Sequence, residues 1–424
     1  MLIDYKTTRK WLILIILLSL VIRIAYIFST NYNSFQTPEV GGEYEPYVKS
    51  LLQREGYRSG HLYASRPCLF PLLWAGTWLI FPQTYLSVRL VLALIGSIIS
   101  LLVYLIGKEM FNPKVGLLAA LGSALYPPLI WYNTHLQTET LYIFFLLLFI
   151  WSLLKLFPAV SIQTESRKEQ QSVCPWDNKL SIGTMFMSGI FLGLATLSRS
   201  VILGFLPLVI LWLFIIQRRL GWRIYKPILF FILGCALVLT PWIIRNWLIF
   251  KAFVPLTTEG GETFYLGNNE RALSTPVGFY RAGWVKELKS LGCEIEFNKI
   301  TYQLGFDFIK ENPGTFLKLM IDKFKRFWRP WPHSQFVGKK VTFIYFVTNL
   351  IAFPLILIGL FYAWRYRPHL QKKYLLIYLL VFYYTFIHML YVAVIRYREP
   401  LMLLLFIFAA YGISRFIGKK KELN

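Results

Sequence analysis

The chain has 424 residues, of which 56% are hydrophobic, 18% aromatic and only 16% charged. Too few polar groups remain to cover a soluble surface, so the apolar residues need lipid. The formal charge of +24 does not mark a nucleic-acid binder, because Lys and Arg fall in short clusters between apolar blocks, as topology determinants do.

The first block, Trp11 to Phe28, follows Lys6, Arg9 and Lys10 and has no small-residue cleavage site after it. It reads as a retained span that starts in the cytoplasm. Further blocks run roughly 86–107, 114–131, 139–157, 182–198, 200–216, 227–243, 341–363, 374–392 and 400–416, about ten crossings in all at the ~20 residues that a helix needs. The stretch 67–82, bracketed by Pro67, Pro71 and Pro82, is too short and interrupted to span and reads as a re-entrant or interfacial helix. The fold expected is all-α and polytopic, with a helical hairpin in the first outer loop and a small helical extracytoplasmic segment. Its divisions are 1–243, a catalytic transmembrane module that includes the acidic outer loop 30–85; 244–340, an extracytoplasmic region in which Asn312-Pro313-Gly314 punctuates two helical stretches; and 341–424, the C-terminal transmembrane helices.

Counting from the first span places Lys108 and Lys114, the polar stretch 158–181, Arg218, Arg219, Arg223 and Lys226, then Arg365, Arg367, Lys372 and Lys373, and finally Arg415 and Lys419 to Lys421 on one side. The positive-inside rule makes that side the cytoplasm. The opposite face receives the loop 30–66, a turn at 132–138, Arg199 at a hairpin tip, the segment 244–340 and Arg396 to Arg398. That long segment is also basic, but loops beyond ~60 residues escape the rule. Cys68 and Cys293 share this space, although four cysteines exclude a disulfide framework and a bridge between these two is the minority expectation. Cys174 falls on the cytoplasmic side and Cys235 within a span, and neither suggests a metal site.

Ionisable residues at span ends are functional suspects by default. One group is the acidic run Pro38-Glu39-Val40-Gly41-Gly42-Glu43-Tyr44-Glu45, which leads into an amphipathic stretch around Val48 to Leu52. A second is Glu139, at the outer mouth of an otherwise apolar helix, and a third is the set Arg23, Arg66, Arg199, Arg245, Arg396 and Arg398. Arginine's planar fork suits phosphate oxygens, and a carboxylate suits general-base work on a hydroxyl or amine. A lipid phosphate with its tail among the helices, such as a polyprenyl-phosphate sugar, matches that layout. Plainer readings exist: a solvated loop acid, arginines that snorkel to headgroups, and an acid that favours a helix N-terminus. The spacing of His135 and Glu139 is compatible with a metal on a helix, but as a lone pair it is weak.

The segments Pro241-Trp242-Ile243-Ile244-Arg245-Asn246-Trp247, Gly260-Gly261-Glu262-Thr263-Phe264-Tyr265-Leu266-Gly267-Asn268-Asn269 and Arg396-Tyr397-Arg398-Glu399-Pro400 resemble signatures of the GT-C membrane glycosyltransferases. The nearest branch is the bacterial one related to dolichyl-phosphate-mannose protein mannosyltransferases and the lipid A aminoarabinose transferase. Gly42-Glu43-Tyr44, Ser50-Leu51-Leu52, Arg66-Pro67-Cys68, Thr138-Glu139-Thr140-Leu141 and Leu197-Ser198-Arg199 follow in the family's order, so the resemblance runs from about residue 10 to about residue 416. It implies a lipid-linked sugar donor and an acid of the first outer loop acting at the acceptor. Many relatives carry Asp followed by an acid there. This chain offers Glu39, Glu43 and Glu45, and the spacing to Tyr44 and the Leu-Leu pair favours Glu43. The proline usual after the Arg-Pro pair is Cys68 here.

On this resemblance the reaction is a displacement at the anomeric carbon with inversion. Glu43 acts on the acceptor hydroxyl, and Glu139 positions that base or helps hold a divalent metal, whose need is left open. Arg245, Arg396 and Arg199 stabilise charge on the departing polyprenyl phosphate, with Arg66 and Arg398 beside them. Trp242, Asn246, Tyr265, Asn268, Asn269 and Tyr397 frame the sugar. The acceptor is a lipid, glycan or protein, met at the outer face of the plasma membrane, and the basic outer segment touches anionic headgroups. The competing class is a polytopic lipid or glycolipid flippase or transporter. Such proteins place ionisable residues near the midplane and often show internal repeats; no repeat relates the two halves of this chain. A scaffold that has lost activity is the third class, against which Glu43 and Glu139 argue.

Overall fold

The computed structural model describes residues 5–30, 42–156, 179–216, 224–273, 293–332, 334–366 and 371–422. Glu39, Cys174 and much of the basic loops expected on the cytoplasmic side lie outside these residues. In chain order the helices are α1 (Tyr5–Ser29), α2 (Glu45–Leu52), α3 (Leu69–Ile80), α4 (Tyr85–Met110), α5 (Pro113–Leu125), α6 (Pro127–Thr134), α7 (Glu139–Leu154) and α8 (Lys179–Ser198). They continue with α9 (Leu206–Ile216), α10 (Tyr225–Phe250), α11 (Gly260–Gly267), α12 (Glu294–Glu311), α13 (Pro313–Trp328), α14 (Ser334–Tyr366, broken at Gly338), α15 (Gln371–Leu390) and α16 (Glu399–Glu422). Among the described residues there is no strand, only an isolated bridge between Ser59 and Leu62.

Several boundaries are set by local chemistry. Asn112 caps α5 by accepting from Val115 N at 3.0 Å, with Pro113 at the first helical position, where a missing N–H costs nothing. Pro313 likewise opens α13 directly after α12, so Asn312-Pro313-Gly314 does separate two helices.

Among the described residues six helices are long and apolar enough to cross a membrane, and α5 with α6 makes a seventh if the bent pair is one span. The protein is therefore a multi-pass membrane protein, with fewer helices of full spanning length among the described residues than the ten crossings expected. The run 114–131, expected as one helix, bends by 49° at the break before Pro127. The runs 182–198 and 200–216 form two shorter helices that meet at Arg199, as expected, and α7 has 16 residues. At ~1.5 Å per residue a helix of that length falls short of a ~30 Å hydrocarbon core. The stretch 67–82 contains the 12-residue helix α3, ended by Phe81 and Pro82.

Helices α4, α7, α8, α10, α15 and α16 share one apolar core. Where α8 crosses α10 the backbones touch: a Cβ on Gly189 would lie 2.0 Å from Phe231 O, and one on Gly234 would lie 2.1 Å from Phe186 O. Small residues permit such close packing in lipid, where no hydrophobic driving force separates helix from solvent. A buried polar seam crosses the bundle as well. Arg23 of α1 donates to Asn133 Oδ1 at 2.8 Å, and Asn133 Nδ2 donates to Leu92 O at 2.8 Å and Thr140 Oγ1 at 3.2 Å. Arg23 is thus a buried tie between α1, α6 and, through Asn133, α4.

Candidate active site

Helix α7 begins at Glu139, only 1% exposed. Its Oε1 accepts from Arg199 Nη2 at 2.6 Å and lies 3.7 Å from Arg396 Nε, while Oε2 has no hydrogen-bond partner among the described residues. Arg199 occupies the break after α8, and its Nε donates to Thr138 Oγ1 at 3.2 Å. Arg396 comes from the short 3-10 turn Ile395–Tyr397 ahead of α16. The Tyr397 ring sits between the two guanidinium groups, 4.9 Å from Arg199 and 5.2 Å from Arg396, a geometry in which a ring face attracts cations. Burial works against the charge of Arg396, but Tyr397 and Glu139 outweigh it and raise its pKa above the ordinary value. Burial likewise opposes ionisation of Tyr397, yet Arg396 and Arg199 prevail and hold its phenol below the usual range.

The second carboxylate stands on the first loop. Glu43 pairs with Arg66 Nη2 at 2.9 Å, and Arg66 Nη1 donates to Glu259. Glu45 is turned elsewhere: it pairs with Lys49 at 2.9 Å and accepts from Tyr85 OH at 2.9 Å. An apolar cluster of Val48, Phe70, Leu136 and Leu141, with Tyr44 packed on it, lays the turn that carries Glu43 against the turn that carries Glu139. Tyr44 is within electrostatic reach of Arg396. The structure therefore brings Glu43, Arg66, Glu139, Arg199, Arg396 and Tyr397 to one end of the bundle. Lys373, whose Nζ donates to Glu109 O at 3.2 Å, and Arg415, stacked over Tyr366 at 5.4 Å, lie where the other ends of α4, α14, α15 and α16 meet.

Other expected site residues are engaged with protein atoms in this arrangement. Arg245 donates through Nη2 to Tyr57 O at 2.5 Å and through Nη1 to Tyr63 O at 2.7 Å and Asn246 Oδ1 at 2.8 Å. It clamps the first loop onto α10, because those carbonyls have no strand to pair with and are satisfied by a guanidinium instead. Trp242 Nε1 donates to Leu256 O at 2.7 Å, and Asn246 Nδ2 to Val254 O at 3.0 Å. Asn268 Nδ2 donates to Leu390 O at 2.8 Å, and Asn269 Nδ2 to Tyr265 O at 2.7 Å. Arg398 is buried and donates through Nη1 to Phe327 O at 3.0 Å and Arg329 O at 2.9 Å. Cys68 is buried and Cys293 exposed, and both are free.

Sequence reasoning passed over three acids. Glu259 closes the Glu43–Arg66 pair from the opposite side, and its signal was its place immediately before Gly260-Gly261. Glu294 accepts from Tyr63 N at 2.7 Å, from Ala64 N at 3.0 Å and from Thr258, stitching the first loop to the outer segment. Glu399 accepts from Tyr126 OH at 2.5 Å within the core. A cavity of about 280 Å³ opens beside Arg66's partners, lined by Tyr63, Ser65, Glu259, Glu262 and Glu294 among others.

The described residues do not assemble a site for a bound divalent ion. Among the described residues no three His, Cys, Asp or Glu side chains converge on one point, and two guanidinium groups already face Glu139 Oε1. His135 ends α6, so it does not share a helix with Glu139; its ring stacks on Trp131 at 3.5 Å and its Nδ1 donates to Trp131 O at 2.8 Å.

Residues 65–163 match the family model described as dolichyl-phosphate-mannose-protein mannosyltransferase, a stretch that holds Arg66 and Glu139. No curated protein sequence matches the chain. Its fold is similar to that of the Archaeoglobus fulgidus oligosaccharyltransferase, with a TM-score of 0.59 at 12% identity for the apo form, covering 98% of this chain and 51% of that one. For the same organism's oligosaccharyltransferase AglB in complex with an inhibitory peptide and a dolichol-phosphate the TM-score is 0.60 at 14% identity, covering 97% and 50%. The chain thus spans about half the length of the solved structures it matches. On the family-model match and the shared fold together, it resembles the GT-C membrane glycosyltransferases, on the side of the dolichyl-phosphate-mannose-protein mannosyltransferases.

Proposed function

We propose that the chain is a glycosyltransferase that moves a sugar from a polyprenyl-phosphate donor to a hydroxyl-bearing acceptor at the extracytoplasmic face of the plasma membrane. The observation that carries this reading is Glu139 between Arg199 and Arg396, set against the turn that bears Glu43. In the reaction the acceptor oxygen forms a bond to the anomeric carbon while the bond from that carbon to the phosphate oxygen breaks. Glu43 takes the acceptor proton, and Arg66 pairs with its carboxylate and aims it. Negative charge collects on the departing polyprenyl phosphate, where fixed guanidinium groups stabilise it without reorganising. Arg199 and Arg396 are those groups, and Glu139 holds them in place as a positioning residue. No step is routed through a metal.

The cavity beside Glu259 is the acceptor's approach, and the lipid tail of the donor lies among the spans. Counting α5 with α6, and the shorter helices α7, α8 and α9, as crossings restores the ten-span topology in which the site faces outward and the clusters at Lys108, Arg365, Lys373 and Arg415 face the cytoplasm. The test is transfer of radiolabelled sugar from a polyprenyl-phosphate donor to a membrane extract by purified protein in detergent. Release of free polyprenyl phosphate without any sealed compartment is the expected result. Lipid movement across vesicles, with no sugar released from any donor tried, overturns the reading in favour of transport.

A further inference from the structure

Helix α13 is amphipathic in two directions. Its inner face, Leu319, Lys323 and Phe327, is buried. On the outer side Leu317, Ile321 and Phe324 are 61%, 54% and 45% exposed, and their spacing of four and three makes one apolar stripe. Lys318 and Lys325 are exposed along one edge of that stripe. Nothing among the described residues covers it. The helix then runs through Trp331, 40% exposed, into α14, whose own exposed surface continues with Phe343, Ile344, Val347, Leu350 and Ile351. That second surface belongs to a helix long and apolar enough to cross a membrane, which follows α13 after a short link.

The inner side of the same helix reaches the arginine turn. Arg398 closes on Phe327 O and Arg329 O at its C-terminal end, and Lys323 Nζ donates to Asn268 Oδ1 at 2.9 Å. Asn268 in turn holds Leu390 O, at the start of the loop that carries Arg396.

We infer that α13 lies in the plane of the membrane interface on the site's own side, with Leu317, Ile321 and Phe324 among acyl chains and Lys318 and Lys325 at anionic headgroups, and that the leaflet thereby steadies the Arg396 turn. An apolar stripe edged by lysines is the composition that in-plane helices use, and an anionic surface adds about a fivefold preference per nearby basic residue. The inference needs a membrane-embedded chain but not the transferase reading.

The experiment places single cysteines at 317, 318, 321, 324 and 325 in a Cys174→Ser, Cys293→Ser background, spin-labels them, and reconstitutes the full chain into nanodiscs of phosphatidylcholine with or without phosphatidylglycerol. Collision with oxygen against a water-soluble nickel chelate reports depth. Oxygen should dominate at 317, 321 and 324 and the chelate at 318 and 325. Lys318→Gln with Lys325→Gln should lower the docked-to-undocked ratio roughly 25-fold on anionic discs and leave it unchanged on neutral ones. Labels at 317, 321 and 324 shielded from both reagents would show a protein cover, from residues 274–292 or a second copy, and overturn the inference. Chelate access at all five positions would overturn it too.

Discussion

Removing Arg199 tests the site's electrostatics most directly. At an effective dielectric near 20, unit charges at the 2.6 Å of the Glu139–Arg199 contact interact by about 6 kcal/mol, and at the 3.7 Å of the Arg396 contact by about 4.5 kcal/mol. Desolvation cancels much of this, so truncating one partner of such a pair costs about 3–5 kcal/mol, mostly because the other charge stays buried. Arg199→Ala should therefore lower the unfolding midpoint in detergent by roughly 3–6 °C, given the entropy of unfolding of a chain this long. Glu139→Gln in the same background removes the stranded charge and should restore at least half of that loss. Sugar transfer should not follow stability: Arg199→Ala should fall ten- to hundredfold, the worth of about 1.5–3 kcal/mol of charge-assisted bonding to the leaving phosphate, and the double variant should stay as low. Scanning fluorimetry and the detergent transfer assay give the two readouts. If Arg199→Ala unfolds within 1 °C of the parent, or the double variant regains transfer, the buried pair is not what organises the site.

Four further outcomes follow from the geometry. Glu43→Gln should abolish transfer while stability moves by no more than about 0.5 kcal/mol, as expected of a part-exposed ion pair; a comparable loss in Glu45→Gln instead would reassign the base. Arg245→Ala should lower both transfer and the unfolding midpoint, because it frees the first loop; an unchanged midpoint would contradict the clamp. Burial depresses the pKa of His135 to about 4 from 6.5, so the unfolded chain takes up a proton first as pH falls. Stability tied to this residue is complete above about pH 6.5 and is lost toward pH 4, by about 2 kcal/mol at pH 5, and His135→Asn should flatten that part of the pH profile. Gly189→Ala should destabilise by about 1–3 kcal/mol, because its methyl group meets the backbone of α10, and an unchanged midpoint would show that α8 and α10 are not in backbone contact.

Helix class and most helix positions were legible because lipid imposes one rule on every span: an apolar run with internal hydrogen bonds. The break at Asn312-Pro313 and the opening of α7 at Glu139 were legible for local reasons, a proline and a single charge in an apolar run. The division at Arg199 was legible as a charge between two apolar runs, whereas the bend before Pro127 was not weighed against the hydropathy count. Pairings were hidden for a different reason. Arg245 and Arg398 read as site residues because they are ionisable groups at span ends, and Asn268 because of the resemblance, yet a buried carbonyl without a partner demands the same side chains as a phosphate does. Sequence spacing cannot tell a guanidinium that closes a loop from one that waits for an anion. Only the partner atoms separate Arg245, with both terminal nitrogens on protein oxygens, from Arg396, whose Nη2 reaches only the Tyr397 hydroxyl at 3.4 Å.

The same distinction bears on transferase against flippase. A carrier that alternates between two faces needs loops that exchange partners, and its charged residues gather near the midplane. Here the first loop is fixed to α10 by Arg245, to the outer segment by Glu294 and to its own hairpin by Tyr57, whose hydroxyl donates to Arg66 O at 2.9 Å. The arginine turn is fixed to α13 by Arg398. These ties join elements far apart in sequence, and all converge on the end of the bundle where Glu43 and Glu139 lie. Catalysis by fixed charges demands such a scaffold, since a donor that must reorient as charge develops has already lost much of its stabilising effect. A cross-braced site at one end of the helices therefore favours group transfer over transport.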